Sequence, residues 1–162
     1  MIDILTTGGT IEGLNYEDID EESKNPPIQI NKFFENLDLT FQFSIKKVFS
    51  KDSRLITNGD RKILKKSIEL SLTKNILITH GTITMIKTAK YLGNLGLDKT
   101  IVLVGAFIPG HEPNTDAHFN LGYAFNAAQR LNNGVYIAMH GNTFSWNNVV
   151  KNKLTNRFEK ER

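Results

Sequence analysis

The chain has 162 residues, a length that suits one domain with a buried core. Hydrophobic residues make up 40% and charged residues 23%, which excludes a disordered chain, a coiled coil and a collagen-like repeat. The net charge is a mild +3, and no cysteine is present, which excludes disulfides, a thiol nucleophile and thiolate metal ligands. The apolar runs are only a few residues long, so no membrane-spanning helix is predicted.

The N-terminal third is predicted to contain two strands on either side of a long loop. A short strand, Ile2–Leu5, is followed by the glycine pair Gly8-Gly9. The polar and acidic stretch Gly13–Pro27 is predicted to be a loop, and long loops in compact domains are often functional lids. A short helix over Ile30–Leu37 and a strand over Thr40–Phe49 follow.

Helices and buried strands alternate in the rest of the chain. Predicted helices run from a cap at Asn58-Gly59-Asp60 to about Leu72, through Ile86, Ala89 and Leu92 to a stop at Gly93, and from Asp116 to Leu131. Predicted strands are Ile76–Ile78, Ile101–Val104 and Val135–Met139, and Thr143-Phe144 can pair back after a turn. These strands lack polar alternation, so both their faces should be buried. The pattern predicts an α/β fold: a three-layer, mostly parallel, doubly wound sheet with helices on both faces.

In such sheets, ligands bind at the carboxyl ends of the strands. Those ends carry Thr7-Gly8-Gly9-Thr10, Thr79-His80-Gly81-Thr82, Gly105-Ala106 and His140-Gly141. A threonine hydroxyl becomes a nucleophile only if a base removes its proton, and both His80 and a buried lysine are open as that base. Thr10 alone also has a structural explanation, as the capping hydroxyl of a turn.

Other kinds of site fit the sequence less well. No G-x-G-x-x-G or G-x-x-x-x-G-K motif is present, so a nucleotide site is not predicted. The spacing of His111, Glu112, Asp116 and His118 matches no metal motif, so we predict no metal and no cofactor. The basic cluster Arg61, Lys62, Lys65 and Lys66 has helical spacing and predicts a solvated helix face rather than contact with nucleic acid.

Two motifs carry a family likeness. Thr7-Gly8-Gly9-Thr10-Ile11 and Thr79-His80-Gly81-Thr82-Ile83-Thr84 resemble the signature motifs of the bacterial-type asparaginase/glutaminase family. Supporting matches are Asp52-Ser53, Val104-Gly105-Ala106, Asp116 with Phe119-Asn120-Leu121, Gly134–Met139 and Lys151. The chain is most similar to the short members, so positions 1–162 are expected to form one asparaginase N-terminal-type domain, without the second domain of the larger enzymes.

The resemblance implies an amidohydrolase that acts on the side-chain amide of asparagine, or on a related small amide, through a threonine nucleophile. Thr10 matches that nucleophile, and Tyr16 matches the loop tyrosine that assists it. Thr82 and Lys151 match a second catalytic group, so the Thr82 hydroxyl and the Lys151 amine are expected to lie within hydrogen-bond reach of each other.

The resemblance also implies a set of substrate-binding positions. Backbone N–H groups around Gly9, Thr10 and Thr82 would form the oxyanion hole, and Gly81 belongs to the same substrate-binding set. Ser53 matches the serine that holds the substrate's α-carboxylate, and the Ala106 carbonyl would face the leaving amide nitrogen. Ile83 completes the set, but it stands where the family motif has aspartate.

That departure leads to two hypotheses and a second candidate function. Without the carboxylate, recognition of an α-ammonium should weaken, and the pKa of Lys151 should fall if the lysine is buried. Glu12, Glu17, Asp18 and Asp20 are candidate substitutes for the lost carboxylate, but a solvated acidic loop is the simpler explanation of these residues. The alternative function is a non-catalytic amino-acid or amide-binding module that retains the pocket.

The expected partner is therefore a small-molecule amide, with no nucleic acid and no membrane. A homo-oligomer, either dimer or tetramer, is expected from the resemblance. A cytoplasmic location is expected because no signal peptide is visible in the sequence.

Overall fold

The structure is a computed structural model that describes residues 1–14 and 28–161. Its main sheet contains the strands β1 (Ile2–Thr6), β2 (Phe43–Lys47), β3 (Asn75–Thr79), β4 (Thr100–Val104), β5 (Gly134–Met139) and β6 (Asn142–Ser145). They lie in the order β2-β1-β3-β4-β5-β6. Neighbouring strands are parallel except for β6, which runs antiparallel to β5. The predicted α/β fold with a mostly parallel sheet is confirmed.

Helices cover both faces of this sheet. Helices α1 (Asn58–Leu70) and α2 (Met85–Gly93) bury Leu64, Ile68, Ala89 and Leu92 in one hydrophobic cluster. Helix α3 (Ala117–Arg130) lies over the other face, where Leu121, Ala124 and Phe125 belong to a second cluster. The central strands β3 and β4 therefore contribute alternate side chains to two separate cores, which explains why their inner positions, 76–78 and 101–103, are all apolar.

The strand order determines where the candidate site lies on the sheet. The chain passes from β1 outward to β2 and then crosses back to β3 on the other side of β1. The carboxyl ends of β1 and β3 consequently lie side by side at the point where the direction of winding reverses. Crevices at such switch points are the usual ligand sites of doubly wound sheets.

Two predicted elements near the sheet edge are shorter than expected. The predicted helix over Ile30–Leu37 is a single 3-10 turn, Ile30–Phe33. One turn is enough to bury Ile30 and Phe33, whereas Leu37 is 56% exposed. A longer helix would therefore bury no further apolar side chain at Leu37 to stabilise it. The predicted strand over Thr40–Phe49 is reduced to β2 because this edge strand has only β1 to pair with.

The first helix differs from the prediction at its cap, its end and its basic face. Thr57 is the N-cap, and it forms a capping box in which its hydroxyl accepts from the Asp60 N–H at 3.2 Å. Leu72 lies beyond the helix and is fully exposed instead of packing on its apolar face. Arg61, which we predicted on a solvated face, is buried.

After β6 the chain forms a second, two-stranded sheet of β7 (Val150–Lys151) and β8 (Phe158–Glu159), which the sequence did not predict. Within the part of the chain that the structure describes, no helix is long and apolar enough to cross a membrane.

Candidate active site

The two glycine motifs pack backbone against backbone. After β1 the chain turns through Gly8 and Gly9, whose φ angles are 95° and 86°. A Cβ atom on Gly9 would lie 2.6 Å from the Gly81 nitrogen, closer than any side chain could be accommodated. Glycine is thus required at position 9 both for its left-handed backbone and for this approach. The contact holds the end of β1 beside the end of β3.

Thr10 begins a short 3-10 turn, Thr10–Glu12, directly after this contact. The N-cap of the turn is Gly9, which has no side chain, so the alternative explanation of Thr10 as a capping hydroxyl is wrong. Thr10 is partly exposed and lines a cavity.

Ser53 is pressed against the second motif from the other side. It opens a 3-10 turn, Ser53–Leu55, whose N-cap is Asp52. Ser53 is buried, and its Oγ would lie 2.6 Å from a Cβ on Gly81. The Thr84 hydroxyl donates to the Ser53 carbonyl at 2.6 Å, which fastens this segment to the turn after β3.

These three segments enclose one small cavity of about 150 Å³. Liquid water occupies about 30 Å³ per molecule, so a space of this size suits a small ligand. The predicted site residues that line the cavity are Gly9, Thr10, Ser53, Gly81, Thr82 and Ile83. Leu14, Asp52 and Arg54 line it as well. Sequence reasoning missed Leu14 and Arg54; the nearness of Arg54 to Ser53 was the one available signal.

Lys151, on β7, does not line the cavity itself but contacts Thr82, which does. Its amine donates to the Thr82 hydroxyl at 3.2 Å, so the two groups lie within the hydrogen-bond reach that we predicted. The amine also sits over the Phe107 ring, 5.0 Å from its centroid, and 5.8 Å from that of Phe158. Burial lowers the pKa of Lys151, because the charged amine loses water. The two rings were not predicted as part of the site.

His80 is not available as the base. It is buried, and its Nδ1 lies 2.8 Å from the Gly81 carbonyl, which can only accept. Nδ1 must therefore carry the proton, and Nε2 accepts from the Thr88 hydroxyl at 2.9 Å. Burial lowers the pKa of His80 to about 4, and the Arg61 charge adds to this. Both ring nitrogens are committed to structural bonds, which leaves Lys151 as the candidate base.

The Asp116 carboxylate binds the backbone near Phe107, whose ring contacts Lys151, and does not cap helix α3. Asp116 occupies the N-cap of α3 without a side-chain capping bond. It accepts from the Phe107 and Ile108 N–H groups, both at 3.0 Å, and from His140 Nε2 at 2.8 Å. Asp116 thus fixes the backbone of the residue whose ring faces Lys151. Across residues 1–14 and 28–161, no three side chains of metal-ligating type converge.

The remaining predicted residues are not brought to the cavity by the described structure. Ala106 is buried and is absent from the residues that line it. Glu12 is buried beside Thr6 and Lys47 and lines a different cavity, so it does not replace the missing carboxylate. Tyr16, Glu17, Asp18 and Asp20 lie outside the described residues.

Comparison with known proteins places this geometry in context. The family model described as asparaginase, N-terminal, matches residues 1–159. The chain is 30% identical to L-asparaginase 2 of Escherichia coli and 29% identical to a probable periplasmic L-asparaginase of Haemophilus influenzae, over 95% of this chain in both cases. It spans about half the length of these relatives, 47% of each.

Two solved structures share the fold of this chain. A probable cytoplasmic L-asparaginase of Campylobacter jejuni superposes on 93% of this chain with a TM-score of 0.75 and 29% identity, and the chain covers 47% of it. The thermostable L-asparaginase of Thermococcus kodakarensis has a TM-score of 0.84 at 24% identity, over 98% of this chain and 50% of its own. The second similarity concerns the fold alone.

Proposed function

The chain belongs to the asparaginase family, and from this premise we propose that it is an amidohydrolase that hydrolyses a small carboxamide through Thr10. The observation that carries the proposal is that Thr10 and Thr82 line one small cavity and that the Lys151 amine lies within hydrogen-bond distance of the Thr82 hydroxyl. Neither hydroxyl would be reactive alone, and the lysine supplies the base that a threonine nucleophile requires.

The chemistry proceeds in two steps. The Thr10 oxygen attacks the amide carbon, its proton passes by way of the Thr82 hydroxyl to the neutral amine of Lys151, and that proton then protonates the leaving nitrogen. The C–N bond breaks, ammonia departs and an ester to Thr10 remains. Water attacks this ester, which releases the carboxylic acid and restores the hydroxyl. The net reaction consumes one water and produces one acid and one ammonia, with no other reactant.

The glycine contact supplies the electrostatic part of the mechanism. Backbone N–H groups at the turns around Gly9 and Gly81 are held rigidly, because the two segments touch without side chains between them. Fixed donors of this type stabilise the oxyanion of an acyl-transfer reaction, and each is worth about 3 kcal/mol in hydrolases.

A Thr10→Ala variant tests the nucleophile directly. We expect wild-type protein to release ammonia from small carboxamides. The kcat of the variant should be lower by about 10³-fold or more, because no other group can form the ester. Thr40→Ala, at an exposed position, serves as the matched control and should retain full activity. Equal activity of the wild type and Thr10→Ala would contradict the proposal.

The non-catalytic binding module predicts a different result in the same samples. Wild-type protein would then release no ammonia from any amide, while asparagine or a simple amide would still raise its melting temperature. The retention of both threonines together with Lys151 favours the enzyme. Asparagine as the substrate, a homo-oligomeric state and a cytoplasmic location stay predictions from the sequence.

A further inference from the structure

The charged groups that line the cavity are already paired with each other. Asp52 and Arg54 are the ionisable side chains among its described lining residues. The Asp52 carboxylate accepts from Arg54 through both oxygens, from Nε at 3.1 Å and from Nη2 at 2.9 Å. It also accepts from the Arg54 N–H at 2.7 Å. The guanidinium neutralises the charge of this carboxylate, which weakens its attraction for a second cation.

The other ionisable group close to the cavity is basic. Lys151 contacts Thr82 and two aromatic rings, and no carboxylate of the described residues forms an ion pair with its amine. The Glu12 carboxylate opens onto the separate cavity next to Lys47. Among the described residues that line the cavity, the one carboxylate, Asp52, is thus already paired with Arg54 and leaves no unpaired negative group for a positively charged ligand.

Ile83 adds an apolar surface at the same place. Its side chain is 59% exposed, although isoleucine is among the residues most often buried, and it lines the cavity beside Thr82. An ammonium group next to this side chain would exchange water for hydrocarbon without gaining a partner, which is costly for a charge. A methylene group at the same position would instead gain apolar contact.

We propose that the preferred substrate is a short carboxamide without an ammonium group beside it, with Ile83 as the residue that determines this specificity. The inference rests on the proposed amidohydrolase function. Succinamic acid is the matched probe, because it differs from asparagine only in carrying hydrogen where asparagine carries the α-ammonium. Both compounds share the amide, the carboxylate and the chain length, so a difference in rate reports on the ammonium alone.

The experiment measures kcat/KM for ammonia release from succinamate and from asparagine. We expect wild-type protein to favour succinamate by at least about tenfold, the size expected when a charged group lacks its hydrogen-bond partner. An Ile83→Asp variant should shift the ratio toward asparagine by a similar factor. Because Ile83 is largely exposed, this substitution removes no core packing and should leave the fold intact.

Two controls separate the possible results. Ile63→Asp places the same charge at an exposed position on α1 and should leave the substrate ratio unchanged. Ile83→Val keeps the apolar wall and should keep the preference for succinamate. Wild-type protein that hydrolyses asparagine as well as or better than succinamate would overturn the specificity while leaving the amidohydrolase function standing. Absence of ammonia release from both compounds, in wild type and Ile83→Asp alike, would overturn both.

Discussion

At the scale of single residues, Lys151 gives the activity a definite pH dependence. The amine acts as a base only when it is neutral, and burial lowers its pKa from the usual 10.5. We expect kcat/KM to rise with pH as the amine loses its proton. The rise should be centred below the pKa of an ordinary lysine. The arginine of a Lys151→Arg variant stays charged at every accessible pH. The variant should therefore show no such rise, and its kcat/KM should be about 10²–10⁴-fold lower than that of the wild type.

The control for this variant is Lys153→Arg, a substitution at an exposed lysine two residues further along the chain. Its pH profile should superpose on that of the wild type. Because Lys151 contacts the rings of Phe107 and Phe158, folding of Lys151→Arg should be checked by its thermal melting curve. A properly folded Lys151→Arg protein with the wild-type profile would show that the amine is not the base.

At the scale of elements, two helical glycines should respond in opposite directions to the same substitution. A Cβ on Gly93, the last residue of α2, would lie 2.1 Å from Cδ2 of the Trp146 ring. Gly93→Ala should therefore lower the free energy of unfolding by about 1–3 kcal/mol, the usual cost of overpacking. Gly122 lies inside α3 with nothing within 4 Å of its added Cβ, so Gly122→Ala should raise that free energy by about 0.5–1 kcal/mol.

Urea denaturation of the wild type and the two variants measures both values, and each variant is the control for the other. Both substitutions replace glycine by alanine, so both reduce the conformational freedom of the unfolded chain equally. A difference in sign between the two changes in unfolding free energy therefore reports on packing at Gly93. Two stabilised variants would show that Trp146 does not pack on Gly93. Two destabilised variants would show that the space beside Gly122 is occupied.

Much of the fold could be predicted because its signals are local. Buried strands such as β4 contain a run of consecutive apolar residues, and the apolar residues of α1 and α3 recur every three or four positions. The motifs at the ends of β1 and β3 could be placed in one crevice because carboxyl ends of parallel strands share an edge. The prediction that Thr10, Thr82 and Ser53 belong to one site depended on this rule together with the family resemblance.

What could not be predicted depends on contacts between distant positions. The Lys151–Thr82 contact joins positions 69 residues apart, so it could be expected only from the family resemblance and not from any local pattern. The strands β7 and β8 are too short to show any pattern. Gly93 was predicted as a helix-ending glycine, but the structure explains the lack of a side chain at this position by the Trp146 ring, far away in sequence. His80 was ambiguous for the same reason, because its partner Thr88 and the neighbouring Arg61 come from two different helices.

At the scale of the whole molecule, His80 connects three elements beneath the candidate site. Its Nε2 accepts from Thr88 of α2, whose hydroxyl in turn accepts from Arg61 Nε of α1 at 3.1 Å. Its Nδ1 holds the carbonyl of Gly81, the glycine that touches Gly9. The shape of the crevice therefore depends on a neutral imidazole in the core between α1, α2 and the sheet.

Acid should lower the free energy of unfolding because of His80. Burial lowers the pKa of His80 from 6.5 to about 4, so between these values the unfolded chain binds a proton that the folded protein does not. The His80 contribution is thus largest above pH 6.5 and falls as pH drops toward 4, by about 3 kcal/mol in total. Burial raises the pKa of Glu12, and this acts in the opposite direction.

Urea unfolding between pH 7 and pH 4.5 measures the sum of the His80 and Glu12 effects. The Glu12→Gln variant lacks the opposing effect, so its free energy of unfolding should fall more steeply with decreasing pH than that of the wild type. NMR of the assigned His80 ring isolates the main effect. We expect the ring to stay neutral, with its proton on Nδ1, until the pH approaches 4, because protonation would place a second charge beside Arg61 and break the bond from Thr88. A His80 ring that titrates near 6.5 in the folded protein would show that it is not enclosed as described.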